Sequence, residues 1–178
     1  MRRVVLSGAA VLSLCLGSLV FAQGNHKYIG VKKCSMCHKS DEKGNQYNQW
    51  LSTKHAKAYE TLATDAGKET AQKAGVTGNP QEEPKCLKCH VTAYGVDSGL
   101  LEEGLKKEDG VQCEACHGAG SDYMSMSVMK DKQKAIEAGL VMPTQEVCLK
   151  CHNEESPNYK EFKFDEFYPK VTHPNPKK

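Results

Sequence analysis

The sequence predicts a mostly α-helical fold with long loops and few or no strands. Three observations predict it. Apolar side chains recur at three- and four-residue steps in several segments, as they do on one face of a helix. Glycine and proline cluster between those segments, which is typical of turns. Continuous strand signal is scarce.

The predicted helices follow one another with turn-rich connections. The longest covers residues 46–65, and a shorter one follows Gly67 over residues 69–74. Two further short helices are predicted over residues 100–107 and 128–140. The apolar stripe of the longest helix consists of Leu51, His55, Ala58, Tyr59 and Leu62.

Four copies of Cys-x-x-Cys-His carry the strongest chemical signal. The cysteine pairs are Cys34 and Cys37, Cys86 and Cys89, Cys113 and Cys116, and Cys148 and Cys151, followed by His38, His90, His117 and His152. A cysteine pair alone is compatible with zinc, a redox dithiol, a disulfide framework or haem attachment. Only covalent haem requires the next residue to be histidine, because the thiols bind the two vinyl groups and the imidazole reaches the iron. We therefore predict four haem c groups, with these cysteines as attachment points and these histidines as proximal ligands.

Residues 1–22 have the features of a cleaved secretory signal peptide. Arg2 and Arg3 precede an uncharged run from Val4 to Phe21, which is short and interrupted by small polar residues for a membrane span. We expect residues 23–178 to form one tetrahaem domain, periplasmic or extracellular, without stable membrane insertion. That length is too short to bury each haem separately, so we expect the loops to wrap around four stacked haems.

Charge argues against one class of partner. The chain has 24 Lys and Arg against 22 Asp and Glu, and removal of the leader with its two arginines leaves equal numbers. Without a basic excess, nucleic-acid binding is not expected. No arrangement of nucleophile, base and oxyanion donors is visible, so we expect an electron carrier with no catalytic residues.

The count of possible axial ligands is short by one. Outside the motifs the chain has only His26, His55 and His173, whereas four irons need four distal ligands to be six-coordinate. At least one iron must therefore bind a methionine, a ligand from another subunit, water or nothing. Three methionines follow the third motif: Met124, Met126 and Met129. Two interpretations of them remain open, core residues or axial ligands.

Several stretches around the motifs resemble the cytochrome c-554 family, the tetrahaem electron carriers of ammonia-oxidising bacteria, with relatives in anaerobes. The stretches are residues 28–38, Trp50 with residues 54–58, residues 86–95, 110–120 and 162–166. The resemblance implies that His55 ligates the haem of His117 and that His173 ligates the haem of His152. It also implies a five-coordinate, open haem at His90.

The first haem departs from the family pattern. The family takes its distal histidine from just past the third motif, where this chain has none. His26, Met124 and Met126, in that order, are the candidates for the sixth ligand of the haem of His38.

These observations leave three hypotheses for function. The first is extracytoplasmic electron transfer between transient redox partner proteins, a donor and an acceptor. The second is a homo-oligomeric filament in which His26 of one subunit ligates a haem of its neighbour. The third is reduction of a small nitrogen oxide at the open haem.

Overall fold

The computed structural model describes residues 25–173, so the predicted signal peptide lies outside the described part. That part is mostly helical, and its only strand-like pairing is one isolated bridge between Tyr28 and Leu101. Four 3₁₀ turns lie at Asp41–Lys43, Ser98–Leu100, Lys107–Asp109 and Tyr168–Lys170. The α-helices are α1 Val31–His38, α2 Gln46–Leu51, α3 Ala58–Thr61, α4 Asp65–Lys73, α5 Pro84–His90, α6 Cys113–His117, α7 Met126–Met129, α8 Lys132–Glu137, α9 Gln145–Leu149 and α10 Phe164–Phe167. The predicted fold class is confirmed.

The long helix predicted over residues 46–65 is wrong, because the chain divides it into α2 and α3. The hydroxyls of Ser52 and Thr53 donate to the carbonyls of Gln49 and Trp50, both at 2.7 Å. Such local bonds compete with the helical ladder. The interruption leaves His55 in a turn between the two helices.

The helices predicted over residues 100–107 and 128–140 also differ from the structure. The first stretch holds no α-helix, because its backbone pairs with Tyr28. The Tyr28 N–H donates to Leu100 O at 2.8 Å, and Tyr28 O accepts from the Glu102 N–H at 2.9 Å. The second is divided into α7 and α8. Asp131 begins α8 by accepting from the N–H groups of Gln133 and Lys134.

Residues 110–120, here called the third-motif segment, hold distant parts of the chain together. The Val111 N–H donates to His55 O at 3.0 Å, and Val111 O accepts from the Trp50 indole at 2.8 Å. The Gln112 N–H donates to the Thr92 hydroxyl at 2.7 Å. The segment thereby joins the turn before α3 to the loop after α5.

The apolar core of the described residues is small. One cluster joins Leu62, Leu87 and Val91, with Tyr59 packed against it. The remaining buried apolar residues are Ile29, Val31, Ala71, Val76, Tyr123 and Ala135. Nine such residues are few for a domain of this length, and large apolar groups beside the polypeptide would supply the missing core. No helix within residues 25–173 has the length and apolar character needed to cross a bilayer.

Candidate haem-binding site

Each Cys-x-x-Cys-His motif lies at the carboxyl end of a short helix. The motif histidine is the last residue of α1, α5 and α6, while the fourth motif begins in α9 and continues into the following turn. Side chains three and four positions apart lie on the same face of a helix. In α1, α5 and α6 this spacing directs both thiols and the imidazole to one side.

The thiols bring the motifs together in an order that differs from their order in the chain. The neighbouring Cys113 thiol raises the pKa of Cys34, and Cys34 lowers the pKa of Cys113, so the first motif adjoins the third. Burial and then the nearby Cys148 thiol raise the pKa of Cys116 to about 11, so the third motif also adjoins the fourth. Burial and then the nearby Cys89 thiol of the second motif raise the pKa of Cys151, so the fourth motif adjoins the second. The spatial order is therefore first, third, fourth, second.

Three of the four motif imidazoles are oriented through Nδ1. The Nδ1 atoms of His90 and His117 donate to Ala58 O at 2.7 Å and to Val141 O at 3.0 Å. The Nδ1 of His38 lies 3.2 Å from the Gln46 side-chain oxygen. A bond of this kind selects the tautomer with a free Nε2 lone pair, the arrangement typical of metal-bound histidine.

Two motif imidazoles have a second imidazole beside them. The ring centres of His55 and His152 are 6.0 Å apart, and those of His117 and His173 are 5.8 Å apart. Because a metal lies about 2 Å from an imidazole nitrogen, itself about 1 Å from the ring centre, two rings across one iron have centres about 6 Å apart. The two pairs therefore have the spacing required for a bis-histidine haem.

The electrostatics of these pairs are compatible with metal binding, which needs neutral imidazoles. Burial, and then the charge of His152, lowers the pKa of His55. Burial is also the first cause of the lowered pKa values of His117, His152 and His173. Phe162 stacks on His152 with ring centres 4.8 Å apart, which holds that ring in place.

The alternative uses of the cysteines find no support in the described residues. None of the eight cysteines of residues 25–173 forms a disulfide. In the same range, no three His, Cys, Asp or Glu side chains converge as a metal-binding group. Zinc sites need four such ligands around one point. The residues present therefore fit haem attachment better than zinc or disulfides.

The ring contacts pair the histidines differently from the ligand pairs that the resemblance implied. His55 lies beside His152 rather than His117, and His173 lies beside His117 rather than His152. The tail after Phe162 folds back through α10 and a 3₁₀ turn, with Phe162 stacked on Phe167. This return carries His173 past the fourth motif to the third.

The candidates for the sixth ligand of the first haem differ in their surroundings. His26 is partly buried and donates from Nδ1 to the Asp122 carboxylate at 2.9 Å. Lys27 is hydrogen-bonded to Ser121 through both its N–H and its carbonyl, so the segment before α1 is held beside the loop after the third motif. Met124 and Met126 are 37% and 62% exposed.

The comparisons with known proteins agree with this architecture. The family model described as "Cytochrome c554 and c-prime" matches residues 33–118. Cytochrome c-554 of Nitrosomonas europaea is 36% identical over 121 residues, which are 66% of this chain. Over these residues the chain is similar to the cytochrome c-554 family. The aligned part spans 48% of that relative, about half of its length.

A solved structure extends the similarity to most of the fold. Reduced cytochrome c554 from Nitrosomonas europaea superimposes with a TM-score of 0.56 at 29% identity, covering 83% of this chain and 79% of the other. Members of the cytochrome c-554 family are tetrahaem c-type cytochromes, and this chain has the four motifs that such a protein needs.

Three residues of the site were missed from the sequence. Glu114 lies between the cysteines of the third motif and Gln112 directly before them, and both are buried. Their position at a haem motif was visible, but glutamate and glutamine side chains are usually exposed. Asp122, the partner of His26, was also missed, since the two residues are far apart in the chain.

Proposed function

We propose that this protein is an extracytoplasmic electron carrier that passes single electrons between a donor and an acceptor protein through four haem c groups. The four motifs supply the attachment points, and each bound haem would supply a one-electron Fe(III)/Fe(II) couple. The predicted signal peptide supports a periplasmic or extracellular location. The partners would meet the carrier in brief encounters.

The two imidazole pairs are the observation that carries this proposal. An iron held between His55 and His152, or between His117 and His173, has no open position for a substrate. Ligands that stay in place during reduction keep reorganisation small, and the surrounding protein sets each potential. These residues thus favour electron exchange over chemistry at the iron.

The spatial order of the motifs supports a continuous route. Thiols near enough to shift one another's pKa place the first motif beside the third, the third beside the fourth and the fourth beside the second. Because each haem is attached at its thiols, neighbouring attachment points bring neighbouring haem edges together. We expect electrons to enter and leave at the first and second motifs, the two ends of this order.

We further propose His26 as the distal ligand of the first haem. It is the histidine that remains after the two pairs are formed. Its Nδ1 bond to Asp122 leaves Nε2 free, and a carboxylate partner is typical of metal-bound histidine. The contacts between Lys27 and Ser121 hold it against its own chain, which favours a ligand in cis over the filament hypothesis.

The second haem is the remaining site for substrate chemistry. No imidazole pairs with His90 in the ring contacts of residues 25–173, and the histidine count provides no fourth distal ligand. Reduction of a small nitrogen oxide at that iron is therefore our second candidate function.

A spin-state measurement tests both candidates. The haem content of the purified holoprotein is measured first, and resonance Raman spectroscopy then counts high-spin haems in the oxidised state. We expect four haems, three low-spin and one high-spin. Four low-spin haems would exclude the second candidate, and three or more high-spin haems would contradict the carrier. Stopped-flow reduction by a small c-type cytochrome should be complete within milliseconds to seconds at every haem.

A further inference from the structure

Glu114 is a buried carboxylate held only by backbone N–H groups. Its side chain is 2% exposed. Oε1 accepts from Ile29 at 2.9 Å and from Gly120 at 2.7 Å, while Oε2 accepts from Gly30 at 2.8 Å. No lysine, arginine or histidine of residues 25–173 forms an ion pair with it.

These bonds connect the first and third motifs. Ile29 and Gly30 directly precede α1, which carries the first motif, and Gly30 is its N-cap. The first N–H groups of a helix have no partner inside it. Gln112 continues the same capping, because its side-chain oxygen accepts from the Val31 N–H at 2.7 Å. Two side chains of the third-motif segment therefore cap the start of α1, the helix that carries the first motif.

The contacts are those of an anion. A protonated carboxyl group would turn a hydrogen toward an N–H donor, because both oxygens already face donors. Burial raises the pKa of Glu114, and the N–H groups of Ile29, Gly30 and Gly120 oppose that rise. A negative charge in a site that excludes water acts strongly on nearby charges. The adjacent Cys113 thiol lies near Cys34, so we expect the first and third haems to come together beside Glu114.

We propose that Glu114 is a positioning residue for the first and third motifs, and that its buried negative charge lowers the reduction potentials of the two haems that these motifs carry. The charge favours the ferric state, which has one more positive charge than the ferrous state. This inference deepens the proposed electron-transfer function and rests on it.

The test compares midpoint potentials of the holoprotein in three variants. Glu114→Gln keeps the shape and removes the charge, whereas Glu114→Asp keeps the charge and shortens the side chain. Glu102→Gln is the matched control, because it removes a half-exposed carboxylate that pairs with Lys33 beside the first motif. Potentials are measured by redox titration followed by optical and EPR spectroscopy.

We expect Glu114→Gln to raise two of the four potentials and to leave two unchanged. Glu114→Asp should lose stability and retain near-native potentials, and Glu102→Gln should move none appreciably. Four unchanged potentials in Glu114→Gln, or equal shifts in Glu114→Gln and Glu114→Asp, would overturn the proposal.

If Glu114→Gln does not bind all four haems, the potentials of Glu114→Asp provide the test instead. With four haems, native potentials in that variant support the role of the charge, and raised potentials contradict it. The readout does not depend on a partner protein. Failure of the wild type to exchange electrons with other proteins would refute the carrier and leave this comparison intact.

Discussion

The imidazole of His55 lies 6.0 Å from that of His152, centre to centre, with the two ring planes 73° apart. His55 comes from the turn before α3, and His152 follows α9 near the other end of the chain. This pair is a contact between distant segments of the chain. It also allows a direct test of the ligand assignment.

His55→Ala should convert one low-spin haem of the holoprotein to high spin, because the iron at His152 loses its sixth ligand. Resonance Raman spectroscopy measures the change. To identify the haem, the substitution is combined with Cys148→Ala and Cys151→Ala, which remove the fourth haem. In that background His55→Ala should add no further high-spin haem. A new high-spin signal there would instead assign His55 to the third haem.

His26→Ala should convert the first haem to high spin in the monomeric holoprotein. Asp122→Ala should give a partial change, since it removes only the acceptor that orients the ring. Met124→Leu and Met126→Leu are the matched controls, and we expect neither to alter the spin states. If a methionine variant changes the spectrum while His26→Ala does not, the methionine is the ligand.

Gln112→Ala should destabilise the holoprotein by about 1–3 kcal/mol for each buried group that it leaves without a partner. Gln112 is 1% exposed and joins the Val31 N–H to the Lys106 carbonyl at 2.7 and 2.8 Å. Denaturant unfolding followed by circular dichroism measures the free energy. Gln133→Ala, at an exposed position bonded to Glu137, should cost less than about 0.5 kcal/mol. Equal losses in the two variants would be contrary to this account.

Gly110→Ala should disturb His55, whereas Gly95→Ala should not. Both glycines have positive φ, 65° and 79°, so each substitution costs about 1–2 kcal/mol of backbone strain. Only at Gly110 would the new Cβ meet other atoms, lying 2.7 Å from His55 O. We expect a larger loss of stability and a fraction of high-spin fourth haem in Gly110→Ala alone. Identical Raman spectra of the two variants would rule out this coupling.

The polypeptide without haem should be largely unfolded. The nine buried apolar residues within residues 25–173 form a small core, and we expect the four motifs to assume their places around the haems. Protein produced without haem attachment can be examined by circular dichroism and thermal unfolding. We expect weak helical signal and no cooperative transition, and a native-like spectrum with a sharp transition would disprove this.

The sequence by itself determined the covalent chemistry of the protein. Attachment of a haem needs two thiols and an imidazole within five consecutive residues, so each motif is complete locally, as in Cys113 to His117. Helical character was predictable for the same reason, because apolar periodicity is local. The helix ends were not, since they depend on side-chain bonds such as those of Ser52 and Thr53.

Only the tertiary structure decided which distant residues meet. His55 and His173 were recognisable as candidate ligands, but their partners depend on how the loops and the tail return across the motifs. The surroundings of Glu114 were also decided by the tertiary structure, because its carboxylate accepts from backbone N–H groups 84 and 85 positions away. Periodicity describes one element at a time, whereas contacts of this range are set by the path of the whole chain.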